Sequence, residues 1–485
     1  MYASVSRQAT LFGPLRDPAV WTALAALAAA VAVAPLAARS PTLTVVGVGG
    51  LALAGAVALH PPFAAFVLIA VTPLIVGIDR GSVIPILRPN EALALVLATG
   101  LCARFAGEII AGKPFRPRLG RVDVAILVLA FTGSVVPLLW MHARGADITQ
   151  DDVLYALTLW KYYGVFLIVR ASVRSVRDVG ICLWLSLAAA GIVAVVAVLQ
   201  ALQLFGVPEL LAAQYAPLGQ TQALDNMRGS STISTPLGVA GVMTFNLAIA
   251  AGLIMYGSAH RTLLVGASIL LVFSALASGQ FSAAVALFVG TLAFGFITGR
   301  LGGVLLALVP TVIVALVALR PVVDKRLAGF DSAAGIPASW AGRIENLNTY
   351  FWPQLSSGWN WVLGVRPSAR VEAPPETGRV WIFIESGYTW LLWTGGIPML
   401  LAFFYFLWTT IRSVSRVARS RADAIGIAAI ASFTALVVTA VLMILDPHLT
   451  LRGVADVSFA LLALALVRDP TSTNATGDVW WARRQ

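Results

Sequence analysis

Residues 179–199 are VGICLWLSLAAAGIVAVVAVL, an uninterrupted apolar stretch without a charged side chain. The hydrocarbon core of a bilayer is about 30 Å thick, so a helix needs about 20 apolar residues to cross it. Inside lipid the backbone must satisfy its own hydrogen bonds, and without barrel-type alternation of polar and apolar residues only a helix does so. The stretch therefore predicts a transmembrane helix.

Similar apolar stretches recur along the whole chain. Hydrophobic residues make up 59% of the 485 residues and charged residues 11%, and the mean hydropathy is +0.87. A soluble domain carries roughly a quarter charged residues, so this chain has too few to cover a water-facing surface. We predict an all-α, polytopic bundle of about fourteen transmembrane helices that forms a single membrane domain over residues 1–485. The predicted spans lie near residues 20–37, 42–59, 63–78, 91–110, 122–141, 153–169, 179–201, 234–257, 262–277, 281–298, 302–319, 385–410, 424–444 and 452–467.

The net charge of +11 reflects membrane topology rather than nucleic-acid binding. The basic residues fall in short clusters between apolar stretches, which is the pattern of cytoplasmic loops under the positive-inside rule, and no basic amphipathic stripe appears. We therefore expect no nucleic-acid partner and place both termini in the cytoplasm. The excess of arginine over lysine, with alanine and valine dominant, suggests a bacterial genome rich in G and C. We expect a multi-pass protein of the bacterial cytoplasmic (inner) membrane. The main clusters are Lys113, Arg116, Arg118 and Arg121; Arg170, Arg174 and Arg177; and Arg412, Arg416, Arg419 and Arg421.

Two predicted extracytoplasmic loops are unusually long, at residues 202–234 and 320–384. In the second loop, residues 344–355 carry apolar side chains at helical spacing, which predicts a short amphipathic helix at the membrane interface. Trp359 and Trp361 in this loop have two interpretations. They belong to an interfacial aromatic belt, or they stack against the faces of sugar rings.

Lys161, in LTLWKYYGVF, is the clearest charged side chain within a predicted span. A charge at membrane depth is costly, so such a residue has either a partner or a function. The sequence offers Glu91 and Glu108 as partners that would hold helices together. It does not separate this structural role from a functional one.

Residues 228–241, RGSSTISTPLGVAG, combine an arginine with the start of a long apolar helix. Serine and threonine before Pro236 are good capping residues, and proline suits the first helical turn. Arg228 beside the free N–H groups of a helix start would form an anion-binding site. The alternative is an interfacial arginine that extends to phospholipid headgroups.

Further candidates lie in the second long loop and at its end. Arg343, in WAGRIENLNTYFW, begins the predicted interfacial helix, and Arg366 follows in the same loop. Glu385 opens the next span, in WIFIESGYTWLLWTGG. A carboxylate beside a cationic loop acts as a general base or only balances charge, and the sequence leaves both roles open.

Three segments resemble motifs of the O-antigen ligase and polymerase superfamily of bacterial envelope polysaccharide synthesis. The resemblance covers the chain from about the fourth predicted span to the thirteenth. RGSSTISTPLGVAG resembles the family's Arg-Gly segment before a proline-containing helix start, and SGQFSAAVALFVG resembles its Ser-Arg-Gly turn, with Gln280 where arginine is common. GRIENLNTYFWPQLSSGWNWVLGV and ESGYTWLLWTGGIP resemble the long-loop arginine, the Leu-Gly turn and the helix with Gly-Gly. Glu385 stands where ligases usually have histidine.

The resemblance implies a C-type membrane glycosyltransferase that is inverting, needs no metal or other cofactor, and acts on a glycan carried by undecaprenyl pyrophosphate. Arg228 and Arg343 are expected to bind the pyrophosphate, because guanidinium groups offer paired donors to the charge that builds on the leaving group. Glu385 is expected to act as the base or to orient the acceptor. The other expected substrate-binding residues are Arg366, as a substitute for the arginine missing at position 280, and Trp359, Trp361 and Tyr388.

Within this resemblance we favour a polysaccharide polymerase, whose acceptor is another lipid-linked repeat unit, because the ligase histidine is missing. The alternative is a ligase that transfers the glycan to a lipid or protein acceptor. A flippase for lipid-linked oligosaccharides and a membrane scaffold without an active site stay open as other classes. The expected partners are the lipid-linked donor and acceptor, membrane lipids and a chain-length regulator.

Overall fold

A computed structural model describes residues 41–82, 87–113, 119–215, 228–327, 338–375 and 380–467. These described residues are mostly helical, with 78% helix and 2% strand. The predicted span near residues 20–37 lies outside the described residues. The helices are α1 (Pro41–Leu59), α2 (Pro62–Ile75), α3 (Pro89–Ile110), α4 (Arg121–Thr132), α5 (Val135–Ala143), α6 (Gln150–Ala156), α7 (Thr158–Ser172), α8 (Val176–Ala201), α9 (Val207–Gln214), α10 (Pro236–Met255), α11 (Arg261–Ala277), α12 (Phe281–Thr298), α13 (Leu301–Ala318), α14 (Arg320–Leu327), α15 (Ala338–Asn346), α16 (Trp352–Leu355), α17 (Asn360–Leu363), α18 (Gly387–Ser420), α19 (Ala424–Leu442) and α20 (Val454–Ala465).

In the described ranges, nine helices are long and apolar enough to cross a membrane, when α4 with α5 and α6 with α7 are each taken as one span. Four more apolar helices, α1, α2, α11 and α20, have shorter apolar segments. Each span predicted from residue 42 onward thus coincides with a helix. The total of fourteen crossings stays a prediction. The apolar helices together suggest a membrane protein.

Proline and glycine explain where several helices begin and how closely they pack. Pro62, Pro89 and Pro236 each occupy the first turn of a helix, where the N–H group that proline lacks would be unpaired. Gly100 of α3 faces α1 so closely that a Cβ atom would lie 2.6 Å from the carbonyl oxygen of Ala54. Close contact through small residues is the usual way in which helices pack in lipid.

Helix α19 forms the centre of the bundle and α13 its edge. In the most apolar segment of α19, 83% of residues are buried, against 6% for α13. Helices α10, α12, α18 and α20 all pack against α19. The ends of the helices that pack against α19, and the connections attached to them, are therefore held in fixed positions.

The described part of the long loop folds into an ordered cap. Helices α15 and α16 join through a π-helical segment, Leu347–Phe351, and Leu347, Phe351 and Leu355 are buried along one side. The predicted amphipathic helix is thus present, and its location at a membrane interface stays a prediction. Beyond it, β1 (Arg370–Glu372) and β2 (Trp381–Phe383) form an antiparallel pair in which Arg370 lies opposite Phe383. The sequence did not predict this sheet.

The Leu-Gly turn, Leu363 and Gly364, packs into a kink of α18. The backbone at Gly396 has φ +63° and ψ −156°, and a Cβ atom there would lie 2.0 Å from the carbonyl oxygen of Val362. Gly364 has φ +90°, and a Cβ atom there would lie 2.4 Å from the carbonyl oxygen of Thr394, so neither position accepts a side chain without displacing the other segment. The Val365 N–H donates to the carbonyl oxygen of Trp393 at 2.6 Å. This contact fixes the loop above the start of α18.

Candidate functional site

Arg343 joins two carboxylates that come from different parts of the chain. Its Nη1 donates to Asp446 Oδ2 (3.0 Å) and to the carbonyl oxygen of Leu445 (3.3 Å). Its Nε lies 3.8 Å from Glu385 Oε1. The side chains of Arg343, Glu385 and Asp446 are 22%, 34% and 12% exposed, so the group is sheltered but open to a ligand. We name these three residues, with Arg228, the Arg343 cluster.

The first turn of α18 brings Glu385 and Asp446 together. The Gly387 N–H donates to the carbonyl oxygen of Met443 at 2.7 Å. A Cβ atom at Gly387 would lie 2.8 Å from the carbonyl oxygen of Met443, so the close backbone contact favours glycine. Because Glu385 comes two residues before Gly387 and Asp446 three residues after Met443, the contact sets the spacing of the two carboxylates.

Arg228 is close to Arg343. Burial lowers the pKa of Arg228, and the positive charge of Arg343 lowers it further. The two guanidinium groups therefore lie within electrostatic range of each other. Within the described ranges no carboxylate forms an ion pair with Arg228, so the pair of cations favours the binding of an anion.

The loop that carries Arg228 is tied to α8 and α11. The side-chain oxygen of Gln200 accepts hydrogen bonds from the N–H groups of Ser230 and Ser231, both at 2.8 Å. The Gly229 N–H donates to the carbonyl oxygen of Ala277 at 2.9 Å. The Arg-Gly segment therefore lies beside the turn at residues 278–280, the second segment that resembles the family.

The serine and threonine residues before α10 hold the loop rather than cap the helix. Thr232 Oγ1 donates to the carbonyl oxygen of Pro73 at 2.8 Å, and Ser234 Oγ donates to that of Gly77 at 3.0 Å. Thr235, the N-cap residue, makes no side-chain hydrogen bond to the helix. The expected capping is therefore wrong, while Pro236 does occupy the first turn.

Burial shifts two titratable groups in opposite directions beside Arg343. Burial raises the pKa of Asp446 to about 6, against the effect of Arg343, and the charge of Glu385 contributes to the rise. Burial lowers the pKa of His448 to about 3, with Arg343 acting in the same direction. Neither ring nitrogen of His448 has a hydrogen-bond partner among the described residues. At neutral pH His448 is therefore uncharged.

Arg366, expected to replace the arginine missing at position 280, makes a different contact. Its Nε and Nη2 donate to the two carboxylate oxygens of Asp152, at 2.9 and 2.5 Å, and these hydrogen bonds raise the pKa of Arg366. Arg370 makes the same two-pronged contact with Asp151, at 2.9 and 2.6 Å. We name these two ion pairs the aspartate staple, because they fasten the long loop to α6.

The expected sugar-binding aromatics also lie outside the Arg343 cluster. Trp359 and Trp361 are 65% and 49% exposed, which suits an interfacial belt and sugar stacking equally. The Tyr388 hydroxyl donates to the carbonyl oxygen of Ala440 at 2.9 Å. That hydroxyl therefore links α18 to α19.

The sequence interpretation missed Asp446 and His448, whose only signal is Asp-Pro-His in a short connection between two apolar stretches. It was right about a partner for Lys161, whose Nζ lies 3.9 Å from Glu91 Oε1. Glu108 pairs with Arg104 instead, at 2.8 Å.

The structure thus shows a helical protein with membrane-type spans and a partly buried group of arginines and carboxylates. Comparison with protein-family models, with curated proteins and with solved structures gives no match.

Proposed function

We propose that the protein is a bacterial inner-membrane glycosyltransferase of the O-antigen ligase and polymerase type. In this proposal it is a polysaccharide polymerase that moves a glycan from undecaprenyl pyrophosphate to another lipid-linked repeat unit. The Arg343 cluster carries the proposal, because two guanidinium groups and two carboxylates from separate segments meet in one partly buried site. A diphosphate is the kind of anion that paired guanidinium forks bind well.

The direction of α18 supports an outward-facing site. Helix α18 begins beside Glu385 and ends in a basic segment that contains Arg412, Arg416 and Arg419. The cluster and the basic segment therefore lie at opposite ends of one long helix. The positive-inside rule puts basic ends in the cytoplasm, which gives the cluster the outer face and agrees with fourteen spans and two cytoplasmic termini.

The proposed reaction is a single displacement at the anomeric carbon of the donor. The acceptor hydroxyl oxygen forms a bond to that carbon while the bond between the carbon and the pyrophosphate oxygen breaks. The electron pair of the broken bond leaves with the lipid diphosphate. Glu385, the more exposed carboxylate, accepts the hydroxyl proton, and Asp446 positions Arg343. Arg228 and Arg343 stabilise the charge on the leaving group, so the proposal requires no divalent cation.

The test uses the full-length protein in proteoliposomes with a lipid-linked repeat unit and no nucleotide sugar. We expect longer lipid-linked glycans and release of undecaprenyl pyrophosphate, with turnover lowered about 100-fold by Glu385→Gln. Glu345→Gln is the matched control, since Glu345 is an exposed carboxylate close in sequence to Arg343.

Three results would contradict the proposal. Full activity of Glu385→Gln would show that Glu385 is not the general base. Transfer of the glycan only to an acceptor without a diphosphate would indicate a ligase. Movement of the lipid-linked unit across the bilayer without bond formation would indicate a flippase.

A further inference from the structure

A second group of cations lies on segments adjoining the first site. Arg88 precedes α3, Arg452 precedes α20, and Lys161 lies on α7. Burial, and after it the charge of Arg88, lower the pKa of Arg452 to about 10, so these two guanidinium groups are neighbours. The Tyr162 hydroxyl next to Lys161 donates to the carbonyl oxygen of Thr450 at 3.0 Å, which joins α7 to the segment before Arg452. We name Arg88, Lys161 and Arg452 the Arg452 cluster.

The negative charge in this region is already shared. Glu91 accepts two hydrogen bonds from Arg80 Nη2, at 3.0 and 3.2 Å, and one from the backbone N–H of Arg88 at 3.2 Å. Lys161 lies at 3.9 Å from the same carboxylate. Glu91 therefore contacts two cations and one helix end, and has little capacity left for Arg88 or Arg452. Asp456, the other carboxylate near Lys161, accepts a hydrogen bond from the Gly453 N–H at 3.1 Å and forms no ion pair with Arg88 or Arg452 among the described residues.

Arg88 and Arg452 have unsatisfied donors. Arg88 Nε and Arg452 Nη1 are buried and have no hydrogen-bond partner among the described residues, and neither side chain forms an ion pair there. A buried guanidinium atom without a partner is costly in free energy. Both residues keep part of their surface open, so an incoming anion can supply the missing acceptors.

The two clusters are separate but close. The charges that shift the pKa of Arg452 include Arg88 and Asp79 but none from the Arg343 cluster, and the charge that shifts Arg228 is Arg343. One segment joins the clusters, since Arg452 follows Asp446 by six residues. Even a fully extended chain of that length spans only about 20 Å.

We propose that Arg88, Lys161 and Arg452 form a second anion-binding site, which holds the diphosphate of the lipid-linked acceptor. The inference rests on the proposed function. A polymerase must hold two lipid diphosphates at the same time, one as leaving group and one on the acceptor. The Arg343 cluster binds the first, and the Arg452 cluster offers the second the unpaired donors of Arg88 and Arg452, with the charge of Lys161 beside them.

The test counts bound prenyl diphosphates on the full-length protein in neutral detergent, with farnesyl diphosphate as the probe and native mass spectrometry and calorimetry as readouts. The wild type should bind two equivalents. Arg88→Gln and Arg452→Gln should each weaken one of them at least about tenfold, while Arg343→Gln should weaken the other. Arg104→Gln on α3, which removes a surface pair with Glu108, is the matched control.

The outcomes separate this inference from the proposed function. One equivalent that depends only on Arg343 would overturn the second site and leave the transferase proposal standing. One equivalent that depends only on Arg452 would overturn the donor site of the proposed function. Equal binding of inorganic pyrophosphate, or equal competition by phosphatidylglycerol, would indicate a free anion or a phospholipid headgroup and overturn the acceptor assignment. Arg452→Lys keeps the positive charge. If Arg452→Gln folds poorly, Arg452→Lys should restore binding of the second equivalent.

Discussion

The Arg343 cluster and the aspartate staple are built from the same residue types but differ in how their charges are matched. In the staple each arginine faces one aspartate through two short hydrogen bonds, and Arg370 also stacks on the Trp381 ring, 4.1 Å from its centroid. In the cluster Arg343 contacts two carboxylates, Asp446 at 3.0 Å and Glu385 at 3.8 Å. Arg228 beside it has no carboxylate partner in the described part of the chain.

This difference separates a structural ion pair from a binding site. A bidentate arginine–carboxylate pair occupies both oxygens of the carboxylate and fixes both side chains. Arg343 and Arg228 keep donors that no acid satisfies fully. In the proposed function a diphosphate binds to these donors, whereas it would have to displace Asp151 or Asp152 to bind to the staple.

The largest expected effect comes from removing one arginine of each kind. Arg343→Gln should lower the rate of glycan transfer about 1000-fold, because a guanidinium contact to the developing charge is lost in a partly dry site. Arg370→Gln should leave the rate within about threefold, since that side chain only fastens the loop. Steady-state turnover in proteoliposomes measures both. Similar losses in the two variants would mean that the difference in charge matching has no bearing on function.

A smaller effect, on the free energy of unfolding, should distinguish the aspartate staple from an exposed ion pair. Arg366→Gln leaves Asp152, which is fully buried, without its cation, so the free energy of unfolding should fall by about 3 kcal/mol. Arg320→Gln removes an exposed pair with Asp324 and should change it by less than about 0.5 kcal/mol. Thermal unfolding in detergent compares the two. A change at Arg320 as large as that at Arg366 would contradict the structural role of the staple.

The helices were predictable because the length of an apolar stretch is itself the physical requirement for a span. The strands at Arg370–Glu372 and Trp381–Phe383 were not, because three residues are too few to show alternation. The position of the sheet also depends on Asp151, more than 200 residues earlier in the chain. A contact of that kind leaves no local signal.

The site was predictable only in part for a related reason. Arg343 and Glu385 stood out because each was predicted to open a helix next to aromatic residues, although Arg343 lies in the last turn of α15. A sequence shows that Arg366 is charged but not which acid it meets, so Arg366 was assigned to phosphate while the structure pairs it with Asp152. Asp446 was overlooked because an acid after an apolar stretch resembles any loop residue.

The smallest expected effect is a pH dependence that belongs to the cluster and not to the staple. The folded pKa of Asp446, about 6, lies above the usual value of about 3.9, so between pH 6 and 4 the folded state binds a proton that the unfolded state lacks, and acid stabilises the fold. The folded pKa of His448, about 3, lies below the usual value of about 6.5, so over the same interval the unfolded state binds the extra proton, and acid destabilises the fold. Each effect amounts to about 1.4 kcal/mol per pH unit, and in the wild type the two nearly cancel.

The variants should uncover the two effects. On going from pH 6 to pH 4.5, Asp446→Asn should therefore lose about 2 kcal/mol of stability and His448→Asn should gain about 2 kcal/mol, while Arg370→Gln keeps the flat wild-type profile. Unfolding curves at the two pH values give the slopes, and parallel profiles in all four proteins would show that Asp446 and His448 titrate as ordinary exposed groups.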